Sequence, residues 1–185
     1  MRWDALFADL AAQGAALEHA ELAGEIAERV RGEVGSLGMV DRARAAVGAE
    51  VRLRVRGPLD LAGRLAGAGT DWLLLDERDG REALVASAQL VSVRGFPRYS
   101  AVPGSAGVVE SRIGLRQLFR AIARDRSPVR VHLIDGTITD ATIDRVGADF
   151  VEAAMHLPGE PRRRAGVQDV VTLPISAIAA VRRSV

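Results

Sequence analysis

The chain contains no cysteine. Disulfides, thiolate catalysis and cysteine-ligated zinc or iron–sulfur centres are therefore excluded. It also contains no lysine and no asparagine, so all 25 basic residues are arginine, the coding bias of a high-GC genome. Aromatic residues make up only 4% of the chain. They are Trp3, Phe7, Trp72, Phe96, Tyr99, Phe119 and Phe150, most of them on apolar faces, so the stacking platforms of single-strand binders are scarce. Only Phe96 and Tyr99, at the linker, are candidates for stacking on an exposed base, and packing of the linker is the favoured reading for both. The three histidines, His19, His132 and His156, are far apart and lack acidic ligand spacing, which argues against a metal site or a general base. No apolar run approaches the ~18 residues of a membrane helix. The segment Met1-Arg2-Trp3-Asp4 does not read as a secretory signal. A cytoplasmic protein with no cofactor, no membrane partner and no small-molecule substrate is expected.

What the chain does have is 48% hydrophobic and 26% charged residues, the balance of a folded protein. Its charge is uneven. Residues 1–50 hold five arginines against nine acids, a net of −4, whereas residues 111–185 hold twelve against eight, a net of +4. The basic end suits nucleic acid, an acidic partner or the chain's own acidic N-terminal segment.

The sequence also repeats itself. Shifting residues 36–76 forward by 78 positions lays them on residues 114–154 without a gap. Leu37 meets Leu115, Arg42-Ala43 meets Arg120-Ala121, Val51-Arg52 meets Val129-Arg130, and Gly69 and Asp71 meet Gly147 and Asp149. Beyond a longer polar loop the shift becomes 88, pairing Val85 with Leu173 and Val93-Arg94 with Val181-Arg182. Each copy must solve the same packing problem.

Residues 3–33 carry apolar residues at three- and four-residue steps, with a change of phase near His19, and predict an amphipathic helix or a helical hairpin. A short helix over 37–47 follows, then strands. Val51-Arg-Leu53-Arg-Val55 alternates with the period of a half-buried strand. Further strands are expected at 59–65, 72–75, 83–85 and 89–93. The second copy predicts a helix from an N-cap at Ser111, strands at 129–133, 138–143, 150–153, 170–173 and 177–181, and a hairpin turn at Asp135-Gly136.

A short helix and five bent strands resembles the Sm-like family of small β-barrels. The second copy carries Val129-x-Val131-x-Leu133-x-Asp135-Gly136, Ala141-x-Ile143 and Asp149-Phe150. The first keeps Val51-x-Leu53-x-Val55, Gly63-x-Leu65 and Asp71-Trp72. The resemblance implies an α+β, mainly β fold of two tandem Sm-like or SH3-like five-stranded barrels, each with a leading helix and its own core. The expected organisation is an N-terminal helical segment (1–34), a first barrel (35–96), a linker (97–110) and a second barrel (111–185). The resemblance also implies an assembly module or an RNA binder. No RNA-site residue carries over, because the family reads uracil with an asparagine and this chain has none.

Candidate contacts are therefore sought among the arginines. Arg112, Arg116, Arg120 and Arg124 lie four apart on the second short helix, with Arg126 and Arg130 beyond it. They form either a phosphate-binding stripe or a solvated face that docks the acidic N-terminal segment. Arg162, Arg163 and Arg164 crowd the long loop, either for polyanion contact or as solvated charge. Asp71 and Asp149 read as turn caps; a catalytic pair would need them face to face. Gly104-Ser105-x-Gly107 lacks the lysine and preceding strand of a phosphate loop and reads as linker. No nucleophile–base set is present. The expected role is a non-enzymatic adaptor that self-associates or binds a protein partner, with RNA binding through the arginine-rich second copy as the alternative.

Overall fold

The computed structural model describes residues 3–78, 80–102, 113–156 and 169–183. The chain divides into two compact units, Met1–Gly38 and Met39–Val185.

The first unit is one helix, α1 (Trp3–Ser36), not a hairpin. Alanine-rich sequence sustains it through Gly14 and Gly24. Its apolar residues do not share a face. At 100° per residue, Leu22, Ile26, Val30 and Val34 spread over about 120° of the helix surface and Phe7 and Leu17 lie outside that arc, and all six are more than half exposed.

The second unit is mostly β. Helix α2 (Met39–Ala45) leads into β1 (Glu50–Val55), β2 (Leu59–Ala68), β3 (Trp72–Glu77), β4 (Glu82–Ala86) and β5 (Leu90–Arg94). Helix α3 (Leu115–Asp125) leads into β6 (Pro128–Leu133), β7 (Ile138–Val146), β8 (Phe150–Met155), β9 (Asp169–Pro174) and β10 (Ile178–Arg183). Alternation makes the strands: Val51, Leu53 and Val55 are buried while Glu50, Arg52 and Arg54 between them are exposed.

The ladders follow the same shift as the sequence. Leu53↔Leu61 in β1·β2 becomes Val131↔Thr139 in β6·β7. Leu65↔Leu75 becomes Ile143↔Ala153, and the bulge between Leu65 and Gly67 recurs between Ile143 and Arg145. Each half turns from its second to its third strand under an aromatic ring. A Cβ on Gly69 would lie 2.2 Å from Trp72 Nε1, and one on Gly147 2.3 Å from Phe150 Cε1. Only glycine fits beneath either ring.

The expectation of two separate closed barrels is overturned. The ten strands of the described residues form one open antiparallel sheet, ordered β5-β1-β2-β3-β4-β10-β6-β7-β8-β9. Strand β4 pairs not with β5 but with β10, through Ala83↔Arg182, Leu84↔Val181 and Val85↔Ala180. The physical reason lies in those two strands. Ala83–Ala86 and Ile178–Val181 are buried at every residue. A strand covered on both faces, left as an edge, would leave buried backbone groups without partners. Joining β4 to β10 satisfies both. The cores are correspondingly shared. One contains Leu53, Leu65 and Leu75 with Ala179 and Ala180 of the second half. The other contains Phe119, Val131 and Ile143 with Trp72, Leu84 and Ala86 of the first.

Candidate functional site

Three features of the second unit bear on function: the joint between the halves, the basic side of α3, and the solvent face of the sheet.

The joint is more than a ladder. Gly114, at the start of α3, has no side chain with which to cap the helix. Its N–H donates to Gln117 Oε1. The Asp71 carboxylate, reaching from the β2–β3 turn of the first half, accepts from the Leu115 N–H at 2.8 Å. An acid at a helix N-terminus satisfies a free donor and complements the helix dipole. Trp72 Nε1 donates to the Ile113 carbonyl at 2.7 Å, Gln89 Nε2 to the Ser176 carbonyl at 2.9 Å, and Arg182 Nη2 to Glu77 Oε1 at 2.7 Å. Asp71 therefore caps α3 across the joint. At the other ends of the sheet, β5 pairs only with β1 and β9 only with β8 among the described residues. Strand β9 stands where β4 stands in the first half, and β5 where β10 stands in the second.

Helix α3 buries Leu115 and Phe119. Arg116, Arg120 and Arg124 are exposed along its flank, and none of the three forms an ion pair among the described residues. Arg126 is exposed and closes the helix in the left-handed conformation (φ 52°), its N–H donating to the Ala123 carbonyl. Arg130 does not join this stripe. It lies on β6, 39% exposed, and forks onto Asp140 at 3.0 and 3.1 Å. Arg112, the Arg162–Arg164 run and the Gly104-Ser105-x-Gly107 segment lie outside the described residues. Of the linker aromatics, Phe96 packs on the first core and Tyr99 is 69% exposed.

No family model matches this chain, and no curated protein matches it.

The solvent face of the sheet differs between the halves. In the second, Arg130 and Arg182 are directly opposed across β6·β10, and each has a carboxylate: Asp140 for one, Glu77 for the other. His132 is buried beside them, and its Nε2 finds no partner among the described residues. Burial, then the Arg182 and Arg130 charges, lower its pKa to about 4, against the opposing pull of Asp140. His132 is neutral at pH 7. In the first half, Arg52 and Arg94 are opposed across β1·β5 in the matching register. The residue paired with Arg52 on β2 is Ala62, where the second half has Asp140.

Among the described residues no three histidine or acidic side chains converge as a metal site, and no helix is long and apolar enough to cross a membrane. Sequence reasoning missed Asp71 as a cap supplied by the other half, and the half-buried Glu77 and Asp140 beside the buried His132. The 78-residue shift does hold one signal, since it sets Ala62 against Asp140.

Proposed function

We propose that the chain is a non-enzymatic, cytoplasmic assembly module whose copies add to one another through the two outer strands of the sheet. One observation carries the reading: the protein already contains the joint it would need. Strand β4 meets β10 inside the chain, and the outer strands β9 and β5 are their counterparts under the repeat. Transposing the internal register sets Leu173 of one copy against Ser92 of the next, Thr172 against Val93, and Val171 against Arg94. A head-to-tail contact of this kind builds a ring where the rotation closes and a filament where it does not. The strand pattern that resembles the Sm-like family implies the same class of role.

The test is particle mass by light scattering across a range of concentrations. The wild-type chain is expected to run as a defined oligomer. Thr172→Lys on β9 and Ser92→Lys on β5 each place a solvated charge on an outer strand. Each is expected to give a monomer with an unchanged circular dichroism spectrum. A monomeric wild type, or an oligomer indifferent to both lysines, would refute the reading.

A second reading is favoured by Arg116, Arg120 and Arg124 on α3, which form no ion pair among the described residues. Arginines at four-residue spacing on an exposed helix flank suit a nucleic-acid backbone. Fluorescence anisotropy with a mixed RNA pool is then expected to show binding that weakens as salt rises. Arg116→Glu with Arg120→Glu is expected to abolish it without unfolding the protein.

A further inference from the structure

We propose that Arg52 and Arg94 form a binding site for a single phosphate-type anion on the solvent face of the first half. The two arginines stand on adjacent strands in direct register. Like charges directly opposite one another destabilise a sheet. The second half shows how the cost is met within the chain, since Arg130 takes Asp140 and Arg182 takes Glu77. The first half retains the arginines and lacks the acids. Ala62 occupies the place of Asp140, and among the described residues no carboxylate lies within ion-pair distance of Arg52 or Arg94.

The neighbouring acids are already engaged. Asp60 faces Arg54 at 3.5 Å and Glu50 faces Arg78 at 3.6 Å. The short side chain of Ala62 leaves space. Arg52, Ala62, Ser92 and Arg94 line a cleft of about 400 Å³, with Arg54 and Asp60 closing one side. Two guanidinium groups offer planar, paired donors that match the oxygens of a phosphate. The Ser92 hydroxyl adds a neutral donor on the same face. Size follows from the rim. Asp60 and Glu50 flank the arginines, each paired with an arginine of its own, so the rim offers no further unmatched positive charge to a polyanion that continues past them. The site therefore suits a compact dianion, such as inorganic phosphate or a phosphomonoester, and not a nucleic-acid strand. It is separate from the α3 arginines, and Ser92 and Arg94 place it beside the β5 edge through which assembly is proposed, so phosphate binding is read on the Thr172→Lys protein, whose change lies on β9.

The test uses the full chain and inorganic phosphate, read by the side-chain Nε–Hε resonances of Arg52 and Arg94 at constant ionic strength against chloride. Saturable shifts at both arginines are expected. Ala62→Asp returns the carboxylate found in the second half, at a position that is exposed here. It is expected to weaken phosphate binding about tenfold. Arg94→Gln, an exposed change on an outer strand, is expected to do the same and keeps the test intact if Ala62→Asp fails to fold. Absence of a saturable shift beyond that of chloride overturns the proposal. So does a folded Ala62→Asp or Arg94→Gln protein that binds phosphate as tightly as wild type. A short single-stranded oligonucleotide that saturates the same two arginines more tightly than phosphate overturns the small-anion assignment.

Discussion

At position 132 the second half of the sheet buries a histidine; at the matching position 54 the first half exposes an arginine. The difference extends along both faces. Around His132 every neighbouring charge is answered, Arg130 by Asp140 and Arg182 by Glu77, and the Glu77 answer comes from the other half of the chain. Around Arg54 the pairs are looser and solvated. Arg54–Asp60 spans 3.5 Å with both side chains more than half exposed, a pair worth less than about 1 kcal/mol. One backbone plan thus supports two electrostatic arrangements. Where the polar face is shut in by the joint, charges must be matched within the protein. Where it faces water, the chain leaves two arginines for something else to match.

The comparison can be broken first at the cores. Leu65 and Ile143 are equivalent, and both are fully buried. Truncating either to alanine is expected to cost about 2–5 kcal/mol. Because β4·β10 makes one sheet of the two halves, each variant is expected to shift a single cooperative urea transition. Two separate transitions, with only one moved by each variant, would show that the halves fold independently.

Acid sharpens the comparison next. His132 titrates near 6.5 when unfolded and at about 4 when folded. Below pH 6.5 the unfolded chain takes up a proton that the native state refuses, so stability falls from pH 6.5 to 4 and the loss levels off beneath that. The full span is about 3 kcal/mol. His132→Leu is expected to flatten that part of the stability profile relative to wild type. Parallel profiles for the two proteins over pH 4–7 would remove His132 as the cause.

The smallest effect separates the two turn aspartates. Asp71→Ala removes the cap of α3 and is expected to cost about 1 kcal/mol. Asp149→Ala, at the matching turn, is expected to fall within about 0.5 kcal/mol of wild type, as surface changes usually do. Equal effects would mean that the cap across the joint adds nothing. Thermal melts of the two variants decide it.

Much of the local structure was legible. Alternation in Val51-Arg-Leu53-Arg-Val55 marks β1, and Asp135-Gly136 marks the turn between β6 and β7, where Gly136 has φ 92° and the Thr137 N–H bonds back to Asp135. The hydrogen bonds from Thr137 hold the Asp135 carboxyl below its ordinary pKa. The global arrangement was not legible. Periodicity reports which side of a strand meets the core, but not which strand lies beside it. The clue to the joint was the unbroken apolar stretch Ile178-Ala-Ala-Val181, buried at every residue. Continuous burial means cover on both faces. The expectation of two separate barrels left it without a partner in the other half. Of the candidate arginines, Arg116, Arg120 and Arg124 sit together as their spacing implies. Arg130 falls outside the stripe, because a charge on a strand takes its partners from adjacent strands, distant in sequence.

The β4·β10 joint also dictates an order of events during synthesis. Strand β4 ends at Ala86, and its partner does not begin until Ile178. At ribosomal speeds of roughly 5–20 residues per second, the gap lasts on the order of 5–20 s. Throughout that interval the nascent first half presents an unzipped, sticky rim to its surroundings. On a crowded polysome the nearest suitable zipper is the freshly made tail of a neighbouring chain. Exchange of β10 between nascent chains is therefore the misassembly expected of this topology.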